Sequence, residues 1–255
     1  MSDPLHLGSL STDALARLLE ANPSAVILLP VGSTEPHGPH LPLATDLLIS
    51  EGASALAAQR LTDDGLVTLV APGIPYGVTD YASGFAGAVS IPRDALVAFL
   101  RAVADGLLAQ GFAHVCLVNN HLEPAHDEAV RASVAHLGKR ASVACPLTRR
   151  WARTLTPEFK SGACHAGRYE TSLVLAIAPD RVDTSAAHAL PDLTISLSAG
   201  IRSGLATFRE MGIDRAYTGA PREASAEEGR TTLALLADMI VGEVRENVVV
   251  GELRA

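Results

Sequence analysis

The sequence is short of cysteine and of basic charge, and each shortage excludes a class of protein. Its three cysteines, Cys116, Cys145 and Cys164, show no CxxC spacing, which argues against a disulfide framework and favours a reducing compartment. Lysine and arginine number 20 against 28 aspartates and glutamates, for a net charge of -8. The chain therefore lacks the basic excess that binding to nucleic-acid phosphates requires.

Long apolar runs are also missing. The longest, such as residues 25–29 and 66–71, are far shorter than the roughly 20 residues that a membrane-spanning helix needs. The start of the chain holds neither the basic region nor the long apolar stretch of a secretory signal. No glycine-rich phosphate loop follows the first apolar run, which argues against a nucleotide-binding module. We therefore expect a cytoplasmic protein that does not associate with membranes.

What the sequence does have is a regular alternation of apolar runs and amphipathic segments. Apolar residues make up 48% of the 255 residues and charged residues 19%, so a sizeable core can form. Short runs predict strands at residues 24–32, 66–72, 112–120 and 141–146, with a last one at 248–250. Helical spacing predicts helices at residues 11–20, 46–60, 93–110, 124–137, 167–178 and 225–245. Residues 72–91 and 180–223 are predicted as loops, and residues 149–163 as irregular.

This alternation predicts one α/β domain over residues 1–255, a three-layer sandwich with a mainly parallel central sheet. Glu35 and His37 follow the first predicted strand, and His121 and Glu123 follow the third. Because ligands bind outside the carboxyl ends of parallel strands, we expect these side chains to converge. Asp46 opens the next helix and is a candidate bridge between two cations, which would form a hydrolytic site.

Each of these residues also has a simpler interpretation when it is taken alone. Glu35 could be a solvated loop carboxylate, and His37 a hydrogen-bonded loop histidine. Asp46 and Glu123 could be acidic residues that favour the start of a helix, and His121 could cap one. It is their joint occurrence at several strand ends that favours a metal site.

Three segments of the chain resemble, in order and spacing, the motifs of the creatininase family. They read PVGSTEPHGPHLPLATD, VNNHLEPAH and HAGRYETS, and the resemblance spans residue 26 to about residue 178. It implies two divalent ions of zinc, manganese or iron per chain. By this resemblance, Glu35, Asp46 and His121 would hold one ion, and His37, Asp46 and Glu123 the other. It also implies a homo-oligomer, often a hexamer.

The same resemblance implies catalytic roles for Glu123, His165 and Glu170. His165 would move a proton to the leaving nitrogen, and Glu170 would be a carboxylate associated with the metal site. The candidate substrate-binding residues are Trp151, Tyr76, Tyr81 and His40. The single tryptophan could stack on a planar substrate, or it could belong to the core or to an interface.

The chain also departs from the family motifs. The middle segment reads His-Leu-Glu where many relatives have His-Gly-Gly-Asn, and Ala82 takes the place of a histidine in residues 77–92. The substrate contacts of that loop are therefore expected to differ from those of the relatives.

We expect a metal-dependent amidohydrolase in which a metal-activated hydroxide cleaves the C–N bond of a small amide, either a creatinine-like lactam or a formamide. A formamide on a nucleotide would need a basic phosphate site, which Arg149, Arg150 and Arg153 could supply unless they form only a solvated face. The alternatives are a peptidase of the type that trims the mycofactocin precursor, and a non-catalytic metal-binding protein of the same fold.

Overall fold

A five-stranded parallel sheet forms the middle layer of the computed structural model, which describes residues 5–248. The strands are β1 (Leu5–His6), β2 (Val26–Val31), β3 (Thr68–Val70), β4 (His114–Asn119) and β5 (Ala141–Ala144). Their order across the sheet is β1-β3-β2-β4-β5, and every pair is parallel. Val31 pairs with Asn119 at the carboxyl ends of the two central strands, so the loops after β2 and β4 leave the sheet side by side.

Helices cover both faces of this sheet. The α-helices are α1 (Thr12–Ala21), α2 (Thr45–Asp63), α3 (Arg93–Ala109), α4 (Pro124–Val134), α5 (Arg149–Ala152), α6 (Pro157–Ser161), α7 (Arg168–Ile177), α8 (Thr184–Ala189), α9 (Leu197–Arg202) and α10 (Ala226–Asn247). Short 3₁₀ helices lie at Leu7–Ser9, Ala135–Arg140, Pro179–Arg181 and Pro221–Glu223. Serine side chains cap the two terminal helices: Ser11 Oγ accepts the Ala14 amide at 3.3 Å, and Ser225 Oγ accepts that of Glu228 at 3.2 Å.

The alternation of side chains along β2 builds a core on each side of the sheet. Val26 and Leu28 belong to one buried cluster, which also includes residues of α2, α7 and α10. Ile27 and Leu29 belong to a second cluster, which includes residues of α3 and α4. A strand buried on both faces has to be apolar at every position, and this explains the continuous apolar run. The predicted three-layer α/β fold is confirmed.

The structure also corrects the predicted elements. The four predicted internal strands are present, and β1 is an additional edge strand. Residues 149–163, predicted as irregular, contain α5 and α6, and the predicted loop 180–223 contains α8 and α9. These helices have four to six residues, too few for helical periodicity to be recognised. The predicted strand at 248–250 lies outside the described residues except for Val248, the C-cap of α10.

Within residues 5–248, none of the helices combines the length and the apolar character that crossing a bilayer requires.

Candidate metal centre

Acidic and histidine side chains meet where β2 and β4 end. Three segments carry them: the loop after β2 with the start of α2, the loop after β4, and the turn before α7 with the start of that helix. The six residues that come together are Glu35, His37, Asp46, His121, His165 and Glu170. All six are at most 7% exposed. The convergence expected from the sequence is therefore present.

Gly32 at the end of β2 allows α2 to begin against the sheet. A Cβ atom at this position would lie 2.5 Å from the Leu47 amide nitrogen and 2.8 Å from its Cα, which is closer than side-chain atoms approach the backbone. Glycine therefore permits the contact that brings Asp46, in the first turn of α2, next to the loop that carries Glu35.

Asp46 lies between two sets of possible ligand atoms. Its Oδ1 is 3.1 Å from His37 Nε2, and its Oδ2 is 3.0 Å from His121 Nδ1. His121 Nδ1 is also 3.3 Å from Glu35 Oε1, while His37 Nε2 is 3.5 Å from Glu170 Oε2. One set is therefore Glu35, Asp46 and His121, and another is His37, Asp46 and Glu170; a third consists of Glu35, His37 and His165. Asp46 belongs to the first two, as a bridging carboxylate does.

Backbone carbonyls fix the orientation of the three imidazole rings. His37 donates from Nδ1 to the carbonyl two residues before it, at 3.1 Å. His121 donates from Nε2 to Val78 O at 2.7 Å, and His165 from Nε2 to Pro36 O at 3.0 Å. In the neutral form of each ring, the second nitrogen therefore directs a lone pair toward the ligand sets; it is Nε2 in His37 and Nδ1 in His121 and His165. Such an outer hydrogen bond is typical of histidines that bind metals.

The donor set fits divalent ions. Asp46 Oδ2 is buried and accepts no hydrogen bond, although His121 Nδ1 is close to it, so this oxygen is available to a cation. Buried carboxylates close to one another are unfavourable unless positive charge compensates them. Imidazole nitrogen and carboxylate oxygen together suit zinc, manganese and iron. Glu35, His37, Asp46, His121 and Glu170 would hold such ions.

The pKa values reflect strong coupling between these groups. Burial disfavours every charge here, but ion pairing outweighs it for four of them. The charge of His121 lowers the pKa of Glu35 to about 2, and His37 with His121 holds that of Asp46 below its ordinary range. Asp46 in turn raises the pKa of His37 to about 10, and Glu35 raises that of His121. For Glu170, burial dominates and raises the pKa to about 8.

The side chain of Glu123 is held by the 72–91 loop. Its Oε1 accepts the Asp80 amide at 3.1 Å, and its Oε2 accepts the Tyr81 amide at 3.2 Å. These contacts hold both oxygens at the 72–91 loop, and Glu123 belongs to none of the three ligand sets found within the described residues. Glu170 lies with His37 and Asp46 in one of these sets, and the ligand role of Glu123 stays a prediction.

A cavity of about 490 Å³ opens over the ligand residues. Glu123 and Tyr81 also line it, and burial raises the pKa of Glu123 to about 7. Apolar side chains form much of its wall: Leu122, Leu147, Phe159, Leu197, Ile201 and Phe208. The cavity therefore combines a polar base with an apolar wall, as ligand sites commonly do.

Only one of the four candidate substrate-binding residues lines this cavity. Tyr81 does, but Trp151 turns to α10, where its Nε1–H donates to Glu243 at 2.7 Å. Tyr76 is 47% exposed outside the cavity. His40 is buried behind the site, with Nε2 2.9 Å from a threonine hydroxyl of α7. The structure therefore does not bring these three residues together with Tyr81 at the cavity, and their contact with a substrate stays a prediction.

Sequence reasoning does not identify Thr79 or Phe208. Thr79 donates its hydroxyl to Glu35 Oε2, and the Phe208 ring lies 4.7 Å from that of His165 between centroids. The one available signal is that Thr79 lies in a long loop of the kind that often carries function. His126 is also buried, with its ring 4.7 Å from that of His121, so it supports the ligand rather than facing the centre.

The parallel α/β sheet with overlapping ligand sets at its carboxyl edge defines a candidate metal-dependent hydrolase. The sequence model of the creatininase family, described as creatinine amidohydrolase, matches residues 9–244. The chain belongs to the creatininase family, and it is a hydrolase of that family.

Curated relatives and solved structures cover nearly the whole chain. A mycofactocin precursor peptide peptidase of Mycobacterium ulcerans is 34% identical over 250 residues, which are 93% of this chain and 91% of the relative. A creatinine amidohydrolase of Pseudomonas putida is 27% identical over 96% of this chain and 98% of the relative. A creatininase crystal structure superposes with a TM-score of 0.73 at 22% identity, covering 97% of this chain and 99% of the other. Other creatininase structures are described as Mn and Zn-Zn forms.

Proposed function

We propose that this chain hydrolyses an amide C–N bond in a short peptide at a two-ion centre. Glu35, Asp46 and His121 would hold one ion, and His37, Asp46 and Glu170 the other. The observation that carries the proposal is the pair of ligand sets that share Asp46 and open into one cavity. When bound, two divalent ions polarise a carbonyl and lower the pKa of water.

Glu123 is the candidate general base. Its carboxylate lines the cavity and is oriented by the backbone amides of Asp80 and Tyr81. With its pKa near 7, it can accept a proton from the attacking water and pass it to the leaving nitrogen. The sequence suggested His165 for the second step. However, burial lowers the pKa of His165 to about 4, and its one N–H is bound to a backbone carbonyl, so we assign both transfers to Glu123.

Three observations favour a peptide over the lactam or formamide expected from the sequence. The cavity of about 490 Å³ is in the range that accommodates drug-sized ligands, whereas a five-membered lactam ring would fill only a small part of it. The single tryptophan lies outside the cavity and offers no stacking surface to a planar ring. The relatives at 34% identity are peptidases, while the creatinine amidohydrolase is 27% identical.

The test is a substrate comparison with the reconstituted enzyme. Protein loaded with zinc, manganese or iron(II) is incubated with N-acetylated hexapeptide libraries, creatinine and simple formamides, and the products are followed by mass spectrometry. We expect peptide cleavage that a chelator abolishes and that Asp46→Asn lacks. Hydrolysis of creatinine or a formamide without peptide cleavage would refute the peptide assignment. Two bound ions without any hydrolysis would favour the non-catalytic alternative. Light scattering tests the homo-oligomer that the resemblance implies.

A further inference from the structure

Four basic side chains line the same cavity as the ligand residues. They are Arg149, Arg153, Lys160 and Arg202, named here the cation cluster. All four are exposed, so they lie at the cavity mouth, whereas the ligand residues are buried at its base. Arg149 lies in α5 and Arg153 is its C-cap, Lys160 lies in α6, and Arg202 ends α9. Separate segments of the chain therefore place positive charge around one opening.

The cation cluster has no acidic partner in the part of the chain that the structure describes. Between residues 5 and 248, none of its four members forms an ion pair. Seven arginines elsewhere are paired: Arg60, Arg93, Arg131, Arg150, Arg168, Arg222 and Arg245. Other basic residues, such as Arg17 and Arg230, also lack an ion pair between residues 5 and 248, so it is the position of the four around one cavity that distinguishes the cluster.

The members of the cluster also lie close to one another. Arg149 and Arg153 are four residues apart and so share a helix face, a spacing at which like charges destabilise. Lys160 Nζ donates to the Arg153 carbonyl at 3.3 Å. This arrangement is unfavourable by itself, and a bound anion would offset it.

The acidic lining residues do not neutralise the cluster. The four carboxylates that line the cavity are Glu35, Asp46, Glu123 and Glu170, all buried. Their formal charge of -4 equals in size the charge of two divalent ions, so the base of the loaded site is balanced. The mouth remains positive.

Arg150, in the same helix, does not point to the cavity as Arg149 and Arg153 do. It lies between the two cluster arginines in sequence, but it does not line the cavity. Its guanidinium stacks over the Trp151 ring at 4.4 Å and pairs with Glu246 of α10. The same short segment therefore places one arginine against Glu246 of α10 and two arginines at the cavity.

We propose that the cation cluster binds a carboxylate of the substrate, remote from the amide that is cleaved, so that the enzyme selects anionic peptides. Guanidinium groups bind carboxylates in a bidentate manner, and the apolar wall between mouth and base would hold the intervening side chains. This inference rests on the proposed peptide hydrolysis and specifies which peptides are taken.

Three matched hexapeptide libraries test it with the metal-loaded enzyme. The first has a free terminal carboxylate and no acidic side chain, the second is amidated without acidic residues, and the third is amidated and carries one glutamate. We expect the first or the third to exceed the second at least about tenfold in kcat/KM, through KM, with an advantage that salt reduces. The library that is preferred tells whether the carboxylate is terminal or on a side chain. Equal cleavage of all three would overturn the inference, whereas no cleavage of any would refute the proposed function instead.

Variants locate the effect. Arg149→Gln, Arg153→Gln and Arg202→Gln should each raise KM for the preferred library about two- to fivefold, as expected for exposed charges, with kcat, ion content and cleavage of the neutral library unchanged. Arg150→Gln is the matched control and should change nothing. Calorimetric binding of the preferred peptide to the Glu123→Gln protein should weaken by the same factor when Arg149→Gln is added. An equal effect of Arg150→Gln would overturn the inference, because it would indicate general charge rather than a site.

Discussion

Glu170 and Glu123 can be distinguished by replacing each with glutamine, which removes the charge and nearly preserves the shape. The ligand sets contain Glu170 and not Glu123. We therefore expect Glu170→Gln to lose about one of the two ions. Glu123→Gln should retain both ions and lose turnover.

The magnitudes follow from the contacts of each carboxylate. Replacing a group that only hydrogen-bonds to a metal ligand typically weakens metal affinity by about 10- to 100-fold. Loss of a charged ligand such as Glu170 should therefore weaken metal affinity by about 100-fold or more, near 3 kcal/mol. A general base contributes about 10²- to 10⁴-fold to the rate. The amide introduced by Glu123→Gln would keep one carbonyl acceptor for the two backbone amides that now bind the carboxylate at 3.1 and 3.2 Å. The protein should therefore lose only about 1 kcal/mol of stability.

The assay combines metal content with rescue. Each variant is gel-filtered, its ions are counted by mass spectrometry, and turnover is measured with increasing free metal. Excess metal should restore activity to Glu170→Gln but not to Glu123→Gln. If Glu123→Gln loses one ion while Glu170→Gln binds two with unchanged affinity, the structural assignment is wrong and the one implied by the sequence resemblance is right.

Three further predictions concern the support of the site and its protons. Glu158→Ala should lower the free energy of unfolding by about 3 kcal/mol, because three backbone amides at 2.7–3.1 Å lose their acceptor; a loss below about 1 kcal/mol in urea would contradict this. Gly229→Ala should destabilise by about 1–3 kcal/mol, because the new Cβ would overlap the Ser172 carbonyl. The control Gly106→Ala meets nothing within 4 Å and should be neutral or stabilising. Metal binding should release protons at pH 7. Burial disfavours the charged form of His37, but the nearby carboxylates, with Asp46 foremost, outweigh burial and raise the pKa of this residue to about 10. This histidine is therefore protonated without metal and must lose a proton to bind an ion. Apparent affinity should therefore increase from pH 6 to pH 9 in calorimetry, and a constant affinity would rule this out.

The positions of the ligand residues could be predicted because they depend on local features. Glu35 and His121 follow buried strands that the apolar runs identify, and neighbouring parallel strands end at the same edge. Asp46 needed one further inference, that the next helix starts at this edge. The contact between Gly32 and the start of α2 is the physical reason why it does.

The positions of the Glu123 and Glu170 side chains could not be predicted, because they depend on contacts that sequence patterns do not reveal. Glu123 is bound by amides 42 and 43 residues earlier in the chain. Glu170 reaches the centre because the amide of Ala166, at a φ of +50°, holds its Oε2 at 2.6 Å. Neither the loop contact nor this uncommon backbone conformation leaves a periodic pattern in the sequence. For Trp151, the decisive contact is with α10, which follows it by more than seventy residues.

The cavity mouth was the least predictable part, and its charges explain why. The carboxylates at the base have to match the ions and are held by strand ends and helix starts, so their residue types and spacing are strongly constrained. The cation cluster is proposed to bind a carboxylate of the substrate rather than an ion. It lies on α5, α6 and α9, exposed segments in which substitutions are tolerated more readily than in the sheet. The sequence indicates only the neighbouring arginines Arg149 and Arg153 as a basic site, because Arg202 is separated from Lys160 by the whole of α7 and α8. From the proposed role of the cation cluster, we expect that exchanging these three short helices alters which peptides are cleaved while leaving the ion content unchanged.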